Sequence, residues 1–401
     1  MNNKIKEEFD IIIAGSGLAG STAAVAFAQE GLRVLLSDPK EFYELNKKKY
    51  DIRTTAISSG SKEIYSKLGI WNDMKEHASS IKKILVKDNK LNKNLSFNNN
   101  LKNKKNQAMG YIIENSKIRN AIFKSIKKYK NITRHDYMIS KIKRTSQNIE
   151  VIINNTNFKA KLLVLADGKK SPIGKILGVK RNSKNYHQKS LVAIIEHEKS
   201  HNGTAVENFL TEGPLASLPM LDKRKKHFSS IVWTGSTLTI DSFLKMKKIK
   251  LEKLINDNLK NVLGKVKIVG SIANWELSLT KAEKFSDHRL ALIGDAAHSI
   301  HPLAGQGFNL SLRGIMRLSR ICGKLHQKGL DYGDKTKLLS YSGKHIIDSS
   351  LLILATDTIN YLFTSKKQTS KIFRALCMKT LSKSKILRSF FKNYAMGKIA
   401  N

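Results

Sequence analysis

The feature that most constrains this chain is Gly15-Ser16-Gly17-Leu18-Ala19-Gly20, set between an apolar run and an alanine-rich stretch. Phe9–Ala14 suits a buried strand, and Leu18–Glu30 suits a helix stopped by Gly31. Val34–Leu36 then supplies a second short strand. The order strand, glycine turn, helix, strand is one parallel βαβ unit, so the chain is expected to fold as a layered α/β protein.

The glycines have separate reasons to be there. Gly15 permits the tight turn, Gly17 lets a pyrophosphate approach the backbone, and Gly20 lets the helix lie close to the strand. Free N–H groups at the helix start, Leu18 and Ala19 included, favour an anion. An acid should close the second strand and hold ribose hydroxyls, and Asp38 stands eighteen residues past Gly20. An acid there favours a ribose without a 2′-phosphate, as in FAD or NAD.

Two more segments carry chemistry. Leu162–Ala166 reads as a strand running into Asp167-Gly168, which alone is an ordinary turn signal. The other runs from Arg289 to Asn309 and contains Gly294-Asp295, His298, His301-Pro302 and Gly305-Gln306-Gly307. A buried strand delivers Asp295 to its C-terminal end, where α/β sheets bind ligands. The glycines after Pro302 open a helix whose N–H groups can stabilise negative charge. His298 or His301 taken alone reads as a satisfied core histidine.

Composition narrows the rest. Lys and Arg number 72 against 32 Asp and Glu, a net charge of +40. The lysines are spread among asparagine and isoleucine, as in Asn89–Asn106, without the aromatic interleaving or recognition helix of a nucleic-acid binder. Drift toward Lys, Asn and Ile accounts for them, and no nucleic-acid partner is expected. Cys322 and Cys377 stand far apart, which argues against a disulfide framework, and no metal-ligand spacing occurs. No unbroken run of eighteen apolar residues is present, so no spanning helix is expected. Met1–Glu8 is polar and unlike a secretory signal, and the chain reads as cytoplasmic.

Along the chain, Asn115–Lys128 has helical spacing, with Ile118, Ile122 and Ile126 four apart. Lys189–Leu279 is mostly alternating and β-like, interrupted by a helical interval over Ser242–Leu259. A helix starts near Phe308, and everything beyond Tyr341 reads helical. The expected architecture is mixed α/β. Residues 1–75, 105–180 and 285–340 form a discontinuous Rossmann-like FAD-binding domain. Residues 76–104 and 181–284 form an inserted β-sheet substrate domain, and 341–401 a helical C-terminal region. Four of the five prolines (Pro172, Pro214, Pro219 and Pro302) lie in or beside the motifs, where each can fix a turn.

Together these residues resemble the ubiquinone-biosynthesis hydroxylases (2-polyprenylphenol hydroxylases) among the group A flavoprotein monooxygenases. Asp51-Ile52-Arg53, Glu114-Asn115, Gly213–Pro219 and the tail from Ala355 to Gly397 add to the resemblance, and His301–Asn309 is its most specific element. The family continues that element with Gly and, three residues later, Asp, where this chain has Ser311 and Gly314.

The resemblance implies bound FAD, with NAD(P)H or a partner reductase as electron source. It implies a flavin C4a-hydroperoxide, formed with O2, whose distal oxygen attacks the ring of a polyprenylated phenol. Gly15, Gly17, Leu18, Ala19, Gly20 and Asp38 are expected on the ADP half. Arg53, Asn115, Asp167, Gly294, Asp295 and Asn309 are expected elsewhere on the cofactor. Pro302, Gly305, Gln306 and Gly307 are expected at the reacting ring.

In the tail, Ile372, Leu376, Leu387, Phe390, Phe391 and Tyr394 alternate with Lys371, Arg374, Lys383, Arg388 and Lys392. Such basic helices can lie on an anionic membrane or dock other quinone-biosynthesis proteins. A prenyl reductase or halogenase on the same fold is an alternative. A non-catalytic scaffold, suggested by Ser311 and Gly314, is another.

Overall fold

The computed structural model describes residues 7–39, 51–89, 93–98, 108–365, 367–384, 388–389, 393 and 396–397. Most of Asn89–Asn106 and, in the tail, Leu387, Phe390, Phe391, Lys392, Tyr394, Ala395 and Lys398 lie outside them, as does the side chain of Lys371.

The glycine turn joins strand Glu7–Ala14 to helix Leu18–Gln29, and the chain returns through Val34–Ser37. Parallel pairing continues outward from Glu7–Ala14 to Val34–Ser37 and Ile132–His135 on one side. On the other side lie Thr156–Leu165 and then Leu290–Leu292. The central strands are buried on both faces, which explains their continuous apolar sequence. Ile149–Ile153 and Ile139–Arg144 extend the sheet by antiparallel pairing. A single large core of Ile, Leu, Val, Ala and Phe side chains holds this layer.

A second eight-stranded sheet is built from Lys83–Asp88 and Lys93–Asn98 and from strands between Arg181 and Ala282, and ends on His298–Ser299. It is antiparallel except where Thr204–Phe209 runs parallel to Lys83–Asp88. Strands put alternate residues on opposite faces. One face (Leu191, Ala193, Ile195, Ile231, Trp233) packs with helices Thr237–Lys245 and Lys248–Leu263. The opposite face packs with a small antiparallel sheet of Thr54–Ser58, Gly110–Glu114 and Ser79–Ile81. That contact gathers Ile81, Met109, Ile112, Ala205, Met220 and Met396.

The C-terminal helices differ from expectation in two ways. Helix Lys335–Thr364 contains an 18-residue window of mean hydropathy 1.3, long and apolar enough to cross a membrane by length and composition alone. A search for unbroken apolar residues misses it because serine and threonine punctuate the run. Only 22% of that window is buried, and its polarity is inverted. Ser342, His345, Ser349, Thr356 and Asn360 face inward, while Ile347, Leu351, Leu354 and Tyr361 are exposed. The second difference is Arg374, expected on a basic outer face. It is buried and paired with the equally buried Asp88, Nε to Oδ2 2.8 Å, while Ile372, Phe373 and Leu376 face out. A guanidinium without solvent requires a carboxylate, and the Lys83–Asp88 strand supplies it.

Candidate active site

The site begins at the N-terminus of helix Leu18–Gln29, which has no side-chain cap. Gly15 adopts φ +106°, and a Cβ there would lie 2.4 Å from the Ala166 carbonyl oxygen. A Cβ on Gly20 would lie 1.9 Å from the Gly15 carbonyl oxygen. A Cβ on Gly17, by contrast, would meet nothing within 4 Å. Uncapped N–H groups therefore open onto space in front of Gly17, Leu18 and Ala19, which fits a pyrophosphate. Asp38 stands beside this turn and accepts the Ser16 N–H on Oδ2 at 2.6 Å.

Gly294, at φ +60°, packs against Ala19, where a Cβ would come to 2.8 Å. The third motif is thereby brought onto the first, although they are far apart in sequence. Asp295 follows: solvent reaches it, yet protein crowds its remaining sides. That burial pushes its pKa up, and Lys169 and Arg53 oppose the rise. Arg53 itself grips Asp51 with two bonds, Nε to Oδ1 2.8 Å and Nη2 to Oδ2 2.9 Å, and lies 5.5 Å from the Trp275 ring.

Three of the residues expected on the cofactor make bonds within the protein here. Asp167 accepts from the Ser171 hydroxyl at 2.6 Å and from the Ile173 N–H at 3.0 Å, so both its oxygens stabilise the turn into Pro172–Ile176. A helix start has unpaired N–H groups, and this carboxylate is the nearest acceptor for them. Asn115 accepts the Thr55 hydroxyl at 2.6 Å, and its own N–H donates to the Arg53 carbonyl. Asn309 is fully buried: it accepts the Ser58 N–H at 2.9 Å and donates to the carbonyls of Ala56 and Gly305 at 2.8 and 3.0 Å. It staples the Pro302–Gly307 loop to strand Thr54–Ser58.

In that loop Gly305 takes φ +60° against Ala56, and helix Gly307–Gln327 starts at Gly307 with Gln306 before it. Pro302 is exposed and its carbonyl accepts the Gly305 N–H at 2.9 Å. His301 holds the loop from behind. Its Nδ1 accepts the Leu303 N–H, so its Nε2 donates to Gln188 Oε1 at 3.1 Å, and Asn360 also donates to that oxygen. Burial keeps His301 neutral, with a pKa lowered to about 4. The tail reaches the site as well: the Gly60 N–H donates to the Met396 carbonyl at 2.9 Å, and Met396 is buried. The sequence marked the segment Asp51–Ser58 but not Gln188 and Asn360, whose roles arise only from long-range contacts.

Gly314 is explained by His345, whose ring fills the space; a Cβ at 314 would lie 2.6 Å from its Cε1. Gly314→Ala is therefore expected to destabilise the protein by about 1–3 kcal/mol through overpacking, although alanine is the better helix former by about 1 kcal/mol. A melting experiment with Gly314→Ala, alone and combined with His345→Ala, checks this: the second change should restore most of the loss. Ser311 donates to the Gly307 carbonyl at 3.1 Å and is accommodated within the helix.

His345 also meets His298, Nε2 to Nε2 3.0 Å, both rings buried. Such a contact needs one donor and one acceptor, so the pair is neutral. Burial lowers His298 to about 4 from 6.5 and takes His345 well below its ordinary value. The unfolded chain thus binds protons that the folded chain excludes. Stability is complete above about pH 6.5 and is lost as pH falls from 6.5 toward 4, by on the order of 3 kcal/mol for His298 alone. Melting temperature against pH should fall more steeply for this protein than for a His298→Gln, His345→Gln variant.

Comparison with known proteins follows this geometry. The FAD binding domain family matches residues 8–344. The chain belongs to that family. It is 30% identical to the ubiquinone hydroxylase UbiL of Rhodospirillum rubrum, over 97% of this chain and 89% of the relative. It is 25% identical to the 3-demethoxyubiquinol 3-hydroxylase of Escherichia coli, over 97% and 98%. In fold it is similar to the p-nitrophenol 4-monooxygenase PnpA of Pseudomonas putida, with a TM-score of 0.79 at 13% identity over 98% and 99% of the chains. The protein is an FAD-dependent oxidoreductase of the group A monooxygenases. FAD, when bound, supplies the redox chemistry.

Proposed function

We propose that this enzyme hydroxylates the aromatic ring of a polyprenylated phenol, a ubiquinone precursor, using O2. The observation that carries the reading is the match to ubiquinone hydroxylases along nearly the whole chain, with the fold and all three glycine and acid motifs in place. A cavity of about 220 Å³ at the sheet contact gives a small molecule space there; Ile112, Met220 and Leu221 are its apolar lining, and Thr54, His77, Glu114, Lys117 and Lys223 its polar lining. Glycine turns and helix N-termini would orient the cofactor's phosphates and ring.

Electrons come from NAD(P)H or a partner reductase. The test is the visible spectrum of purified protein, followed by product analysis with polyprenylphenols under 18O2. Bound FAD and a ring carrying labelled oxygen support the reading, and a colourless protein that cannot take up FAD sinks it.

The outward apolar stripe of Lys335–Thr364 gives such a bilayer-borne substrate a route in, and the basic tail favours anionic lipid. Changing Leu351 and Leu354 together to Asp should abolish flotation with anionic vesicles while leaving the flavin spectrum unchanged.

A further inference from the structure

Strand Thr204–Phe209 presents Ala205, Glu207 and Phe209 on one face by alternation. Ala205 belongs to the cluster that joins this sheet to the small sheet carrying Ala56, and Ala56 touches Gly305. Phe209 stacks on Phe363 of the C-terminal helix, ring centroids 3.5 Å apart. Glu207 therefore lies between these two contacts, on the face turned toward the flavin loop. Its neighbours in register are Ala216 on one side and Val86 on the other. Among the described residues no hydrogen bond or ion pair holds its carboxylate, and the residue is half-buried.

We propose that Glu207 is a catalytic acid–base group that accepts the hydroxyl proton of a phenol bound between the two sheets; this rests on the function proposed above. In the step, the phenol O–H bond breaks, its electron pair stays on the phenolate oxygen, and a new O–H bond forms on the Glu207 carboxylate. Nothing is oxidised or reduced. The phenolate is the more electron-rich ring at its ortho and para carbons, which is what an electrophilic oxygen requires. The proton leaves to solvent when product departs.

The surroundings suit the task. Burial alone pushes the Glu207 carboxyl up to about 7, near the value at which a carboxylate exchanges protons most effectively at neutral pH. Among the described residues the charged groups on this face of neighbouring elements are Asp88 and Arg374, which neutralise each other, Glu114 paired with Lys223, and Lys117 and His77 at the cavity; strand Pro214–Pro219 contributes no titratable side chain. A purely structural role would favour an amide or an apolar residue, since an unpartnered buried carboxylate destabilises the fold.

The test uses the full-length, FAD-loaded enzyme, a prenylated phenol series, and Glu207→Gln and Glu207→Asp variants. Glu207→Gln should lower kcat at pH 7 by about 100-fold or more, with KM and the flavin spectrum little changed. The limb near pH 7 in the pH profile of kcat/KM should vanish in Glu207→Gln and persist, displaced, in Glu207→Asp. The same limb is to be followed in phenol binding, read as perturbation of flavin absorbance. Loss of the limb from binding with no hydroxylated product from any form would leave the proton transfer standing and overturn the hydroxylase reading. An unchanged limb and a kcat within two-fold in Glu207→Gln would overturn the proposal, and failure of the wild type to bind any phenol would overturn both.

Discussion

Gly20→Ala is expected to lower FAD affinity by about 100-fold or more, equivalent to about 3 kcal/mol, and to lower the melting temperature of the apoprotein as well. The added Cβ would stand 1.9 Å from the Gly15 carbonyl oxygen and 3.0 Å from the Ala166 Cβ. Both obstacles belong to packed backbone or to a side chain with no freedom to turn away. Helix Leu18–Gln29 must therefore lift from its strand, and the N–H groups aimed at the pyrophosphate move with it. Gly17→Ala is the control. Its Cβ meets no protein atom within 4 Å, so apoprotein stability should hold while FAD binding falls through a clash with the phosphates alone. Titration of apoprotein with FAD, alongside melting curves, separates the two glycines. Equal apoprotein stability in both variants would refute the division of labour.

Arg374→Ala is expected to destabilise the protein by about 3–5 kcal/mol, because a buried carboxylate loses its counter-charge. Arg374 and Asp88 are 1% and 0% exposed, and the guanidinium also lies 5.3 Å from the Phe363 ring and donates to the Leu362 carbonyl at 3.1 Å. The loss should release the C-terminal helix from the substrate-domain sheet first. Hydrogen exchange would show it as faster labelling across Gln368–Lys383 than across the cofactor sheet. Replacing both partners by apolar residues, Asp88→Leu with Arg374→Met, should recover much of the stability. A double variant no better than Arg374→Ala would show that shape, not charge, anchors the helix.

The cofactor end of the molecule was legible in the sequence because its signals are local. A tight turn needs Gly15, a helix laid on a strand needs Gly20, and a buried strand announces Asp295, each within a few residues. Asn309 and Asp167 were read as ligands for the same reason: they stand where a cofactor contact would be expected. The structure adds what each also does within the protein: Asp167 holds a helix start, and Asn309 staples a loop to a distant strand. The rest is decided across long stretches of chain. Nothing near Gly314 announces His345, and nothing near Asp88 announces Arg374. Glu207 did leave a trace, an acid at an inward position in the alternating Ala205–Phe209 run, which a stricter reading of strand faces would have flagged. The inverted helix Lys335–Thr364 also left one, since its serines and threonines recur on a single face.

The sheet beneath the cofactor has a consequence for how the protein is made. Its strands in spatial order are Leu290–Leu292, Thr156–Leu165, Glu7–Ala14, Val34–Ser37 and Ile132–His135, so the ribosome delivers an interior neighbour near the end. Ile149–Ile153 covers the Thr156–Ala160 part of its neighbour's edge, but until Leu290–Leu292 emerges the Leu163–Leu165 part stays bare, and bare edges recruit other chains. Asp295 arrives only after that strand, and Met396 later still. FAD therefore cannot serve as a nucleus for the growing polypeptide. The site it would occupy is complete only on a nearly finished chain.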